Sequence, residues 1–262
     1  MTENERLAAL CALLPEGRGG LLAWPEEVDS TNRALRALAE AGAEAGSAFL
    51  AEGQTAGRGR LGRRFASPRG KGLYLSLLLR PELPPEALGE LPAWAAVAVR
   101  RALLRCCGLS AEIEWVNDLL CRGRKLCGIL AEGVLREGRL ESVVLGVGIN
   151  VSGEREDFPP ELRETATSVL LETGRAPDRI ALAAAVLREL DALAGSCPTG
   201  REAVLAEYRE SCVTLGRRVL LSDGTEGEAQ AIGEDFALLV RLEDGTLRTL
   251  RSGEATLHGQ RP

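Results

Sequence analysis

Residues 54–63 read Gln-Thr-Ala-Gly-Arg-Gly-Arg-Leu-Gly-Arg, with three glycines and three arginines in ten positions directly after the apolar run 47–51. Glycine lets a backbone approach a ligand closely, and arginine offers a planar fork of donors that fits carboxylate and phosphate. Such a loop is built to close on an anion. Two other readings compete: a solvated basic turn, or an RGG-like patch for RNA.

Three more polar clusters end apolar runs, where the loops of a sheet gather functional groups. Asp29-Ser30-Thr31-Asn32 precedes a helical pattern and, taken alone, is a helix N-cap. Glu114-Trp115-Val116-Asn117-Asp118 carries an Asn-Asp pair that offers oxygen ligands to Mg²⁺, or simply makes a turn. Lys125 stands immediately before an apolar strand, where its ammonium can neutralise an anion held over a pocket; a surface lysine is the plainer reading. Gly146-Val147-Gly148-Ile149-Asn150-Val151 offers small residues on which a planar ligand can lie, with Asn150 able to read a base edge.

Regular elements must hold these groups. Ala and Leu recur at helical spacing over 30–42, with Ser30 or Asp29 able to cap them. A short strand over 47–53 leads into the glycine-arginine loop, and 72–80 is apolar enough for a buried strand that Pro81 ends. The Ala/Leu/Val-rich segment 85–107 predicts one long helix. Strands are expected at 111–115 and 126–135, and the latter forms a hairpin with 142–151 across Glu137-Gly138. Helical patterns return at 178–195 and 200–211. This order predicts an α+β fold, a mixed β-sheet backed by helices. From Leu215 onward, short runs separated by Asp223-Gly224, Gly233 and Asp244-Gly245 predict a small β-barrel, so the chain divides into 1–213 and 214–262.

Composition narrows the function. A net charge of −6 opposes general nucleic-acid affinity, which needs a basic field, so the loop is expected to guide a small anion and no DNA partner is expected. No apolar run reaches the ~20 residues that span a bilayer, and the acidic N-terminus lacks a signal-peptide core. The chain therefore reads as cytoplasmic, with no membrane partner. Seven cysteines without a CxxC pair, and the single His258, give little support to a zinc cluster or a histidine-based nucleophile mechanism.

Taken in order, Asp-Ser-Thr-Asn, Gln-x-x-Gly-Arg-Gly-Arg-x-Gly-Arg, Trp-x-Asn-Asp, Arg-Lys-x-x-Gly-Ile-Leu and Gly-x-Gly-Ile-Asn-Val resemble the biotin–protein ligases across roughly 24–257. The resemblance implies a class II synthetase-like, biotin/lipoate ligase catalytic domain with an SH3-like C-terminal barrel. It also departs from the family: Glu114 stands where Lys is usual, Val116 replaces Pro, and Phe65 replaces the aromatic Trp after the loop. The segment before Trp24 is too short for the winged helix-turn-helix that some members carry.

The resemblance supplies the substrates: biotin and ATP with Mg²⁺, giving biotinyl-adenylate and then biotin on a lysine of a biotin carboxyl carrier protein or carboxylase domain. It implies that Ser30, Thr31, Asn32 and Gln54 bind biotin, with Gly57, Arg58, Gly59, Arg60, Lys125 and Gly128. Lys125, Arg60 and Arg58 carry the catalysis. Arg58, Arg60, Arg63, Asn117, Lys125, Asn150 and Arg251 are assigned to ATP, and Asp118 to Mg²⁺. Lipoate is the nearest rival acid. A non-catalytic regulator that binds biotin or nucleic acid is the rival of another class, and a homodimer through the catalytic sheet is open.

Overall fold

The apolar runs at 72–80, 126–135 and 142–151 form the middle of one sheet in the computed structural model, which describes residues 1–196, 199–251 and 255–257. Cys197 and His258 lie outside the described residues. The first half of the chain runs α1 (Glu3–Leu13), β1 (Leu22–Ala23), β2 (Glu27–Val28), α2 (Thr31–Glu40), β3 (Ala48–Ala51), β4 (Gly53–Gln54), β5 (Gly72–Leu79) and α3 (Leu91–Cys107). Then come β6 (Glu112–Glu114), β7 (Asp118–Cys121), β8 (Arg124–Arg136), β9 (Arg139–Asn150), α4 (Val169–Thr173), α5 (Arg179–Ser196) and α6 (Arg201–Ser211). The last strands are β10 (Arg218–Leu221), β11 (Glu226–Ile232), β12 (Leu238–Leu242), β13 (Leu247–Leu250) and β14 (Ala255–Leu257).

The seven-stranded sheet has the order β1-β3-β5-β9-β8-β7-β6, with β1 parallel to β3 and the other pairs antiparallel. Side-chain alternation separates its faces. Leu73, Leu75 and Leu77 of β5, and Leu145, Val147 and Ile149 of β9, join the main core with residues of α3 and α5. On the opposite face Leu78 and Val144 pack under Leu35 and Ala39 of α2. Between α2 and the glycine-arginine loop, that second face carries the site.

The β8–β9 hairpin turns at Glu137-Gly138, both at positive φ (50° and 74°), which matches the right-handed twist of its strands. Three expectations need correction. The segment 85–107 is not one α-helix: Pro85–Glu90 is 3₁₀, and α3 begins at Leu91. Pro92 lacks an N–H and its ring clashes inside a helix, so the α-helix restarts with Pro92 in its first turn. The linker between 111–115 and 126–135 contains a further strand, β7, which turns into β8 through Arg122-Gly123 at φ 49° and 73°. Ser30 stands at the N-cap of α2, yet no side chain makes a cap bond; Asp29 instead accepts the Ser30 N–H and pairs with Arg33. The segment before Trp24 forms α1, whose buried Arg6 donates to the Trp24 carbonyl and pairs with Glu26.

The C-terminal strands form an antiparallel sheet in the order β13-β12-β11-β10-β14. Its Asp-Gly turns are the expected ones: Asp223 and Asp244 each accept the N–H two residues on, ahead of which Gly224 and Gly245 sit at φ 80° and 85°. Phe236 ties this sheet to the rest. Its ring packs against Trp94 and, edge-on at 5.4 Å, against Tyr208, while its carbonyl accepts the Trp115 indole N–H at 2.8 Å.

Candidate active site

Two rows of residues cross the site face in register. Asp118, Gly128, Gly148 and Tyr74 are neighbours across β7, β8, β9 and β5, and Leu130, Gly146 and Ser76 form the next row. The glycines make a floor that side chains approach closely. A Cβ on Gly146 would stand 2.2 Å from Asn32 Oδ1, and one on Gly148 would stand 2.7 Å from the Phe65 ring. Only glycine fits under these two groups. The loop 57–65 folds over the floor as a small hairpin: Gly59 N–H donates to Arg63 O at 2.8 Å and Phe65 N–H to Gly57 O at 3.0 Å. Gly57 lies where any side chain would strike Phe65 O and Ser67 Oγ.

The charged groups meet at the floor's edge. Lys125 Nζ donates to Asp118 Oδ2 at 2.5 Å. Asn117 Nδ2 donates to Asp118 Oδ1 and to Ile129 O, both at 2.9 Å, and Asn117 Oδ1 accepts from Arg60 Nη1 at 2.7 Å. Arg58 Nη1 pairs with Glu132 Oε1 at 2.9 Å. Three cations therefore surround the floor, each tethered by a polar partner that an incoming anion can replace. Among the described residues, no group of three or more His, Cys, Asp or Glu side chains could hold a metal ion.

Lys125 reaches this face because the strand is irregular. Cys127 pairs with Leu119 but Lys125 pairs with Leu120, so Leu126 is an extra residue in β8. Strict alternation puts Lys125 on the face opposite Gly128; the bulge turns it, and a Cβ on Gly128 would stand 3.3 Å from Lys125 Cε. Leu126 and Cys127 meanwhile both enter the main core. Burial pushes the Cys127 thiol up, consistent with a packing role.

A chain of polar contacts runs under α2. Thr31 N–H donates to Gln54 Oε1 at 2.9 Å, and Gln54 Nε2 donates to Ser67 Oγ at 2.8 Å. Ser76 Oγ lies 2.8 Å from Thr31 Oγ1 and 2.6 Å from Asn32 Oδ1, and Asn32 Nδ2 donates to Glu132 Oε2 at 2.7 Å. Ser30, Thr31 and Asn32 are all buried. Opposite Asp118 across the tight β6–β7 turn stands Glu114. Burial and the Asp118 carboxylate push its carboxyl up to about 7, against the pull of Lys125 and a backbone bond from Leu257.

The structure thus gathers Thr31, Asn32, Gln54, Gly57, Arg58, Gly59, Arg60, Asn117, Asp118, Lys125 and Gly128 around one floor, with Ser30 at the start of α2 beside them. Asn150 stands behind Lys125, donating to the Thr167 and Lys125 carbonyls at 3.0 and 3.4 Å. Arg63 lies exposed on the loop. Arg251 is not drawn in; it pairs with Asp235 on the C-terminal sheet. Glu132, Ser67 and Ser76 escaped sequence reasoning. The signals were there: Ser76 is the one small hydroxyl residue between Gly72 and Leu79, and Glu132 interrupts the apolar run 126–135 on the same parity as Gly128.

The sequence profile described as "Biotin/lipoate A/B protein ligase family" matches residues 24–150. The "Bifunctional ligase/repressor BirA" of Bacillus spizizenii is 40% identical over 167 residues, 64% of this chain and 51% of that protein, so the chain spans about half the length of this relative. The "Biotin--[acetyl-CoA-carboxylase] ligase" of Mycobacterium tuberculosis is 38% identical over 198 residues, 74% of this chain and 71% of that one. Among solved structures, the biotin protein ligase from Aquifex aeolicus in complex with biotin and ATP superposes with a TM-score of 0.77 at 30% identity, covering 91% of this chain and 98% of that one. Among the described residues no helix is long and apolar enough to cross a membrane.

Proposed function

The chain belongs to the biotin/lipoate A/B protein ligase family, and we propose that it activates biotin with ATP and transfers it to a lysine of a biotin carboxyl carrier protein or domain. One observation carries this reading. A cationic loop, a carboxylate-held lysine and a buried amide readout meet over a single glycine floor. The likeness to the Mycobacterium tuberculosis biotin ligase and to the Aquifex aeolicus enzyme in complex with biotin and ATP supports biotin and ATP as the substrates.

In the first step a biotin carboxylate oxygen attacks the α-phosphorus of ATP. The bond to the β-phosphate breaks and pyrophosphate leaves. In the second, the acceptor's amine attacks the acyl carbon, the bond to the phosphate oxygen breaks, AMP leaves with that electron pair, and the amine's surplus proton goes to solvent. Both steps build negative charge, so donors fixed near the reacting oxygens contribute more than a general base. Lys125 meets the carboxylate and α-phosphate, exchanging Asp118 for a fuller share of the anion. Arg58 and Arg60 leave Glu132 and Asn117 to close the loop, and the closed Gly57–Gly59 backbone keeps water from the anhydride.

Ser30, Thr31, Asn32 and Gln54 read the biotin head group; in a buried site such polar readers discriminate against acids that cannot pair with them. Asn117 and Asn150 attend the nucleotide, with Arg63 as an outer contact, while Arg251 stays with Asp235 and takes no part. We assign 1–213 to this chemistry and 214–262 to a C-terminal unit that braces it. Asp118 Oδ2 is held by Lys125 and Oδ1 by Asn117; once Lys125 turns to the anion, Asp118 would be the residue to hold magnesium. Magnesium enters this reading as part of the MgATP substrate, which brings its own phosphate ligands.

Pyrophosphate exchange dependent on MgATP, with biotin, lipoate or octanoate offered separately, tests the proposal. Exchange with biotin alone is expected, falling by about a hundredfold or more in Lys125→Ala. Exchange with lipoate in preference to biotin would overturn the substrate, and an undiminished Lys125→Ala rate would remove Lys125 from its role.

A further inference from the structure

Behind Lys125 lies a carboxylate that no step above uses. Glu172, on the short helix α4, has a fully buried side chain. Its Oε1 accepts from Arg124 Nη2 at 2.7 Å and from the Thr167 hydroxyl at 2.6 Å. Its Oε2 lies 3.3 Å from the Cys121 thiol and 3.6 Å from Arg122 Nε. The four partners are not scattered. Cys121, Arg122 and Arg124 make the turn from β7 into β8, and Thr167 belongs to the segment that pairs with Lys125 itself. There Lys125 N–H donates to Thr165 O at 2.7 Å, and Thr167 N–H donates to Lys125 O at 2.9 Å.

A buried carboxylate costs several kcal/mol of desolvation even when paired, and an apolar side chain of like volume would fill the same space. A charge at this place calls for a function in specifying geometry. The bulge at Leu126 supplies one, because the face on which Lys125 emerges depends on that single extra residue. Sliding the β7–β8 register by one position removes the bulge and sends the ammonium to the far side of the sheet.

We propose that Glu172 is a positioning residue for Lys125, clamping the bulged strand through Arg124 before the lysine and Thr167 beside it. The inference rests on the reading that Lys125 acts on the acid and the α-phosphate. Glu172 touches no substrate; it decides where the lysine is when substrate arrives.

The test is a double-mutant cycle in the pyrophosphate-exchange assay on the full chain. Glu172→Gln and Thr167→Val keep side-chain volume and are each made alone and with Lys125→Ala. Misplacing a catalytic group by about 1 Å costs up to about a hundredfold, so Glu172→Gln is expected to lower kcat about ten- to a hundredfold, with a smaller change in the KM for biotin. Thr167→Val follows in the same direction. In the Lys125→Ala background neither change should lower the rate by more than about twofold, because a misplaced lysine that is already gone loses nothing further. Effects that multiply in the double variants would mean a structural role and overturn the inference. So would wild-type kcat in Glu172→Gln while Lys125→Ala is impaired. If Glu172→Gln does not fold, the Thr167→Val cycle decides alone. A Lys125→Ala protein with full activity would instead bring down the reading of Lys125, a different failure from loss of the clamp.

Discussion

Gly146→Ala should displace one of the buried groups of the site. The new Cβ would lie 2.2 Å from Asn32 Oδ1, 2.9 Å from its Cγ and 3.0 Å from its Nδ2, so the amide has to leave. It leaves two partners behind. Glu132 loses the donor it holds at 2.7 Å, and Ser76, which is 0% exposed, loses the contact at 2.6 Å with no route to water. A bond to a charged group contributes about 1.5–3 kcal/mol and a neutral one about 0.5–1.5, so the expected loss is about 3 kcal/mol. For a chain of this size that is about 6–12 °C in Tm. Gly148→Ala is the internal control. Its Cβ would stand 2.7 Å from the Phe65 ring, but that ring belongs to a surface loop that can lift, so the cost should stay near 1 kcal/mol. Urea denaturation gives both numbers, and calorimetric titration with biotin should show the greater loss of binding for Gly146→Ala. A Gly146→Ala protein within about 0.5 kcal/mol of the parent, or Gly148→Ala costing more than Gly146→Ala, would refute the close-approach account of the floor.

Two further expectations concern the groups around the Asp118 turn. A Glu114 carboxyl raised from 4.5 to about 7 holds, in the fold, a proton that the unfolded chain has already lost. Its contribution to stability is therefore whole below pH 4.5 and is lost as pH rises toward 7, by about 3 kcal/mol in total. Glu114→Gln should flatten that part of the stability profile, and denaturation midpoints from about pH 5 to 8 that run parallel for the two proteins would exclude it. Phe236→Ala empties a fully buried site between Trp94 and Tyr208 and should cost about 3–5 kcal/mol. It should also lower the adenylation rate, since Phe236 O anchors the Trp115 indole two residues before Asn117; an unimpaired rate would show that the C-terminal sheet does not brace the turn.

The residue types pointed to anion recognition, because that leaves a local signature, while the proposed substrates came from the resemblance of the motifs, in their order, to the biotin–protein ligases. Glycines beside arginines, an Asn-Asp pair and a lysine ahead of an apolar strand are each legible within a few positions of the chain. The α+β architecture was also legible, since periodicity and Asp-Gly or Glu-Gly turns are local properties. Less local features were misread. Prolines at 85 and 92 broke the expected long helix, and β7 was hidden in a linker because its four residues are too few to show a period.

Tertiary structure alone decided which face each group occupies. Read by alternation, Lys125 belongs on the opposite side of β8 from Gly128; a bulge reverses that, and a bulge is set by pairing with β7 and by Glu172, 47 positions further on. Asn32 and Glu132, a hundred residues apart, meet only because Gly146 leaves room between them. The sequence by itself named the groups that are proposed to handle an anion. It could not say which of them share a surface, because strand register and close approach depend on contacts between segments far apart in the chain.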